Sequence, residues 1–125
     1  MHEIFIETND QRAIIESVRH FVENEVLPRA AELDAQTNPE DGFSWEIIEA
    51  ADAVGIRTMT LSEHYGGLGT DSLTTAMVVE ELAKGDLGIS VVMAQTLKLA
   101  QIMEKALNEE QKSRVLPGPR MAATQ

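Results

Sequence analysis

Three groups of residues have the types needed for chemistry: the glycine loop Tyr65-Gly66-Gly67-Leu68-Gly69, the acidic pair Glu80-Glu81, and the histidines His2, His20 and His64. A glycine-rich loop ahead of a helix can turn backbone N–H groups toward a phosphate. This one lacks the Lys-Ser/Thr ending of a P-loop, and Asp71 follows it where an anion would be repelled. Its composition therefore predicts a tight, mobile turn, since glycine reaches positive φ without a Cβ clash. Two carboxylates can share acid–base work when they converge on one proton. Adjacent helical positions diverge by about 100°, so Glu80 and Glu81 predict solvated or interface acids, with Lys84 one turn beyond Glu80. The histidines share no metal-ligand spacing. Glu16 and His20 lie one turn apart, but the Glu-x-x-His repeat of a carboxylate-bridged di-iron bundle is missing. No serine or threonine stands in a nucleophile elbow. Residue types alone assign nothing here to catalysis, cofactor binding or a metal.

These candidates are carried by helices. Thr8 and Gln11 form a capping box, followed by Ile14, Ile15, Val18, Phe21, Val22 and Val26 on one amphipathic stripe. Pro28 leaves the Asn24 carbonyl without its helical donor and predicts a kink or break before Ala30, Ala31 and Leu33. Residues 36–43 read as a loop through Asn38-Pro39 and Asp41-Gly42. Ser44 caps a helix carrying Ile47, Ile48, Ala51 and Val54, which Gly55 stops. Trp45, at its head, is expected to pack rather than to stack on a ligand. Residues 56–62 read as a short extended connector. Asp71 or Ser72 then caps the helix bearing the acidic pair, which ends near Gly85. Asp86 caps the most apolar helix, from Leu87 to about Ala106, whose first half is apolar on nearly every face and predicts burial from several sides. Asn108 and Gln111 open a last short helix that stops at Leu116-Pro117, with Gly118-Pro119 as terminator. The fold class is all-α, an up-and-down-like bundle of five to six helices over residues 1–117.

Composition narrows the partners. A hydrophobic content of 43% over 125 residues supports one domain with a core. Ten basic against 21 acidic residues give a net charge of −11, which repels phosphate backbones and argues against nucleic acid or an anionic membrane. No run approaches the ~20 apolar residues of a bilayer span. The absence of cysteine fits a reducing, cytoplasmic compartment, and the acidic start at Glu3 and Glu7 argues against a secretory leader.

Within the apolar helix, Ser90, Gln95 and Thr96 interrupt the hydrophobic surface beside small Ala94. Two readings stand at this point. The polar groups face solvent or bond back to their own helix; or a small residue in place of a bulky one leaves room for a ligand, making this a cavity wall.

Ordered motifs resemble the N-terminal helical domain of the acyl-CoA dehydrogenases. They are the proline-interrupted stretch from Phe21 to Asp34, the helix ending at Gly55-Ile56, and Tyr65-Gly66-Gly67-Leu68-Gly69 with Glu80-Glu81-Leu82-Ala83. Asn108-Glu109-Glu110-Gln111-Lys112 with Leu116-Pro117 completes the set. The resemblance covers about Thr8 to Pro117. Ser62 departs from it, standing where the family usually has a proline, and Asp86-Leu87-Gly88-Ile89 falls at a position that varies between subfamilies.

The resemblance implies α,β-dehydrogenation of an acyl-CoA thioester by FAD, with an electron-transfer flavoprotein as acceptor. It implies that the flavin cradle and the glutamate base belong to a β-domain and a C-terminal bundle beyond these residues. Residues 118–125 then read as a truncated tail that starts the missing FAD-binding β-domain, and the chain alone is expected to hold no FAD and to be inactive. Carried over by position, Ser90, Val91 and Ala94 line the far end of the acyl-chain pocket. Two alternatives remain: the same domain in an acyl-CoA oxidase or flavin monooxygenase, or a stand-alone helical protein-interaction module. A domain without its covering parts is also expected to self-associate through exposed apolar surface.

Overall fold

The computed structural model describes residues 2–117. Among them are six α-helices and no strand: α1 Asn9–Phe21, α2 Leu27–Asp34, α3 Trp45–Ala53, α4 Ser72–Gly85, α5 Leu87–Ala106 and α6 Glu109–Val115. The all-α expectation holds, and the count is five if α1 and α2 are taken as one interrupted helix. The tail from Gly118, with its terminator dipeptide and possible first strand, lies outside the described residues.

Helix boundaries sit where short polar side chains satisfy the first free N–H groups. Thr8 and Gln11 make a reciprocal capping box at α1, as do Asn108 and Gln111 at α6. Ser44, Asp71 and Asp86 each accept from the N–H three residues on, at the starts of α3, α4 and α5. Asp86 is the whole connection between α4 and α5. Extended at φ −159°, it closes one helix and caps the next.

Pro28 has the consequence its missing N–H dictates. Residues Val22–Val26 widen into a π turn in which Leu27 N–H reaches the Val22 carbonyl, and α2 starts with the proline in its first turn. Asn24 turns its side-chain Nδ2 back to the His20 carbonyl at 2.7 Å. The widened turn presents Val22 and Val26 to the end of α4, where Gly85 lets the two backbones close. A Cβ at Gly85 would lie 2.7 Å from Val22 Cγ1 and 2.9 Å from Val26 Cγ1. Gly85→Ala is therefore expected to destabilise by about 1–2 kcal/mol despite alanine's better helix propensity. Urea unfolding would show it, with Val22→Ala restoring part of the loss when combined.

The main core gathers Ile15, Val18, Phe21 and Val26 of the first helices, Ile47 and Ala51 of α3, Met77, Val78 and Leu82 of α4, and Ile89, Met93 and Leu97 of α5. Helix α4 packs between α1 and α5. A smaller cluster of Leu61, Ala100 and Leu116 joins the glycine-loop region to α5 and α6.

The turn dipeptides of the expected loop close as one 3-10 turn, Pro39–Gly42. Two expectations need correction. Residues 56–62 are not an extended connector; Ile56–Thr58 form a 3-10 turn entered through Gly55 at φ +82°. The first half of α5 is not buried from several sides: Leu87 and Val91 are exposed, and with Leu99 and Ile102 of the second half they form one exposed stripe. Periodicity could not separate two apolar faces of one helix, and α4 covers only one.

Candidate functional site

The glycine loop is pinned rather than mobile. Gly67 N–H donates to the Ser62 carbonyl, Leu68 and Thr70 N–H both to Met59, and Gly69 N–H to Leu61 at 2.8 Å. Gly66 and Gly69 use positive φ, +82° and +61°. Gly67 is buried for a different reason: a Cβ there would lie 2.0 Å from the Leu61 carbonyl oxygen. The amides that a phosphate would need are thus bonded within the loop. Asp71 follows, its carboxyl held below the usual range by bonds from the Thr74 side chain and then the Thr74 N–H. The described residues therefore do not fit the diphosphate of a flavin at this loop.

The acidic pair separates completely. Glu80 is exposed, whereas Glu81 is 2% exposed on the face toward α1. Its Oε1 accepts from Arg19 Nη2 at 2.8 Å, Arg19 Nε at 3.2 Å and Lys84 Nζ at 3.0 Å. Arg19 Nη2 also reaches Glu3 at 2.8 Å. Burial alone would push the Glu81 carboxyl up, but Arg19 and then Lys84 outweigh it and hold it below the usual carboxylate range. Bonds to Glu81 and Glu3 likewise raise Arg19 above its ordinary value. A carboxylate kept ionised, buried and held by the Arg19 and Lys84 cations ties α4 to α1; a general base needs access and a raised pKa. The expectation of a solvated or interface acid is corrected for Glu81. A partner 62 residues away left no local signal.

The candidate pocket wall on α5 is distributed over three surroundings. Ser90 is buried and its hydroxyl donates to the Leu87 carbonyl at 2.7 Å. Val91 is 52% exposed on the uncovered stripe. Ala94 lines a groove of about 280 Å³ between α4 and α5, with Thr60, Thr75, Ala76, Val79 and Leu97 around it. On another side of α5 lies a recess of about 390 Å³ whose lining includes Arg57, Thr96, Leu99, Met103 and Leu116. Ser90 and Val91 line neither.

Long-range polar ties hold α5 in place. Thr60 Oγ1 donates to the Leu97 carbonyl at 2.9 Å, deep in the structure. Ser62 donates both its N–H, at 3.1 Å, and its hydroxyl to Glu104. A proline at position 62 would supply neither donor. Tyr65 Oη bonds Glu109 at 3.2 Å; burial first, then Glu109, raises the phenol above its ordinary value. The sequence contained all of these donors, but only the fold brings them to their acceptors. Among the described residues no group of three or more His, Asp or Glu side chains is placed to hold a metal, and no helix is long and apolar enough to cross a membrane.

The glycine loop is pinned, and one apolar stripe of α5 is left exposed among the described residues. The family profile described as "Acyl-CoA dehydrogenase, N-terminal domain" matches residues 8–123. The chain is 35% identical over 111 residues to the acyl-CoA dehydrogenase, short-chain specific, of Clostridium acetobutylicum, covering 87% of this chain and 28% of that protein. It is 35% identical over 108 residues to a probable medium-chain specific acyl-CoA dehydrogenase of Caenorhabditis briggsae (85% and 25% covered). Similarity extends to a probable acyl-CoA dehydrogenase of Mycobacterium bovis, 33% over 101 residues (81% and 25%). The chain belongs to the acyl-CoA dehydrogenase N-terminal domain family. It spans about a quarter of the length of these relatives.

Proposed function

We propose that these residues act as the N-terminal helical domain of a flavin-dependent acyl-CoA dehydrogenase, contributing part of the acyl-chain pocket through α5. FAD would serve as hydride acceptor in that reaction. What this chain's residues supply is a wall at the far end of the chain site: Ala94 in the groove and Val91 on the exposed stripe face outward, Ser90 lies buried behind them, and the Thr60 bond to the Leu97 carbonyl fixes the helix that carries them. The observation that carries this reading is the uncovered stripe of Leu87, Val91, Leu99 and Ile102, next to the groove at Ala94. An exposed apolar face of that kind marks a place where another surface docks. The flavin, the catalytic glutamate and the surface for an electron-transfer flavoprotein are placed outside these residues, in a cytoplasmic enzyme.

The test is direct. The purified chain, dialysed against FAD and assayed with acyl-CoA and an artificial dye, is expected to retain no flavin and reduce no dye. A yellow, active preparation would contradict the proposal. The exposed stripe also favours a second reading, a stand-alone interaction module. Sedimentation tests the exposed stripe that both readings share: concentration-dependent self-association is expected, and a clean monomer with low binding of an apolar dye counts against exposed patches in either reading.

A further inference from the structure

A separate surface of the molecule has no part in the acyl-chain reading. Between Glu23 and Glu49 the chain carries eight acidic residues and one basic residue, Arg29, so most of the net charge of −11 comes from this stretch. The α2 helix and the start of α3, both within it, border an open recess of about 480 Å³, lined by Arg29, Glu32, Leu33, Phe43, Trp45 and Glu46. Trp45, expected to pack, is instead 70% exposed at the head of α3. It stands edge-on to Phe43, with ring centroids 5.1 Å apart. The single cation is already matched: Arg29 Nη1 lies 3.0 Å from Glu46 and Nη2 3.7 Å from Glu25. Of the two carboxylates that line the recess, Glu32 is left to meet whatever enters, and the excess acids of the stretch add their field from farther off.

We propose that this recess docks a basic, Lys/Arg-bearing segment of another protein, with a cationic side chain laid over the Trp45 ring. A tryptophan face attracts a cation through its quadrupole, and the surrounding carboxylates add long-range attraction that speeds encounter. Exposed tryptophan is also the residue type most enriched among interface anchors. A second copy of this chain fits poorly, because it would bring the same acidic face. Nucleic acid is repelled for the same reason.

Trp45 is the one tryptophan in the chain, so its emission reports occupancy directly. The protein would be titrated with a tetra-arginine amide and, in parallel, with a neutral tetra-serine amide of equal length. A saturable change in Trp45 emission with the arginine peptide alone is expected. It should weaken about fivefold in Glu32→Gln/Glu46→Gln and further in about 0.3 M salt. Both carboxylates are at the surface, so the variant is expected to fold, and circular dichroism would verify it. Calorimetry on Trp45→Ala should show the affinity lost. The proposal is overturned by an equal response to both peptides, by binding unchanged in the Gln variant, or by calorimetric binding that survives Trp45→Ala. It is also overturned if Trp45 emission shifts with protein concentration alone, which would make the occupant a second copy.

Discussion

Gly67→Ala is expected to destabilise the protein by at least about 3 kcal/mol, more than any other single methyl addition in the glycine loop. The added Cβ would meet not a flexible side chain but backbone: the Leu61 carbonyl at 2.0 and 2.5 Å, and the Thr58 oxygen at 2.5 Å. Relief requires moving the 58–61 turn. That turn receives the loop's own hydrogen bonds at Met59 and Leu61 and sends Thr60 to the Leu97 carbonyl. The damage should therefore spread to α5. Gly69 offers a control. A Cβ there meets nothing within 4 Å, and only its φ of +61° opposes substitution, so Gly69→Ala should cost about 1 kcal/mol. Chemical unfolding of both variants gives the comparison, and equal losses would show that close approach at Gly67 is not what holds the loop.

Arg19→Met should destabilise by about 2–3 kcal/mol. The change strips the nearly buried Glu81 carboxylate of both bonds from the Arg19 guanidinium while the one from Lys84 stays. Breaking a buried pair typically costs 3–5 kcal/mol, and the figure is reduced here because Arg19 is itself partly exposed. Replacing both partners removes the uncompensated charge, so Arg19→Met/Glu81→Leu should recover much of the loss. The same pair sets a pH dependence. Glu81 titrates below its ordinary value of 4.5 in the folded protein, so the folded state binds its proton less readily than the unfolded chain. Its stabilisation is full above about pH 4.5 and is lost as pH falls through the lower, folded value. Unfolding measured from pH 7 to 3 should fall less steeply below 4.5 in Glu81→Gln than in the wild type. Parallel curves would assign the acid sensitivity to other carboxylates.

What was legible in the sequence was local. Thr8, Ser44, Asp71, Asp86 and Asn108 each cap an N–H three residues away, so spacing alone located the helix starts. Pro28 announced an interruption, although not that a π turn would absorb it. What escaped was set by contacts across the chain. Glu81 and Arg19 are 62 residues apart and Ser62 and Glu104 42 apart, and neither pair leaves a periodic trace. The glycine loop showed its φ requirement but not the packing that forces Gly67. Helix α5 displayed two apolar faces, and only the position of α4 decides which is covered. Ser90 and Ala94 show why spacing did not define the candidate site. Its hydroxyl bonds back to its own helix at Leu87, while Ala94 one turn on borders the groove.

The central proposal is that α5 walls an acyl-chain pocket in a larger enzyme, and one hybrid protein tests it most directly. The aligned N-terminal segment of the Clostridium acetobutylicum relative would be replaced by this chain, and the hybrid purified with its flavin. Acyl-CoA substrates of increasing chain length would then be compared before and after Ala94→Phe, a change that fills the groove beside Val79 and Leu97. The account predicts a flavin-loaded, active hybrid in which Ala94→Phe lowers kcat/KM for the longer acyl chains at least about tenfold while sparing the shortest. A folded, flavin-loaded hybrid whose chain-length profile is unmoved by Ala94→Phe would contradict it.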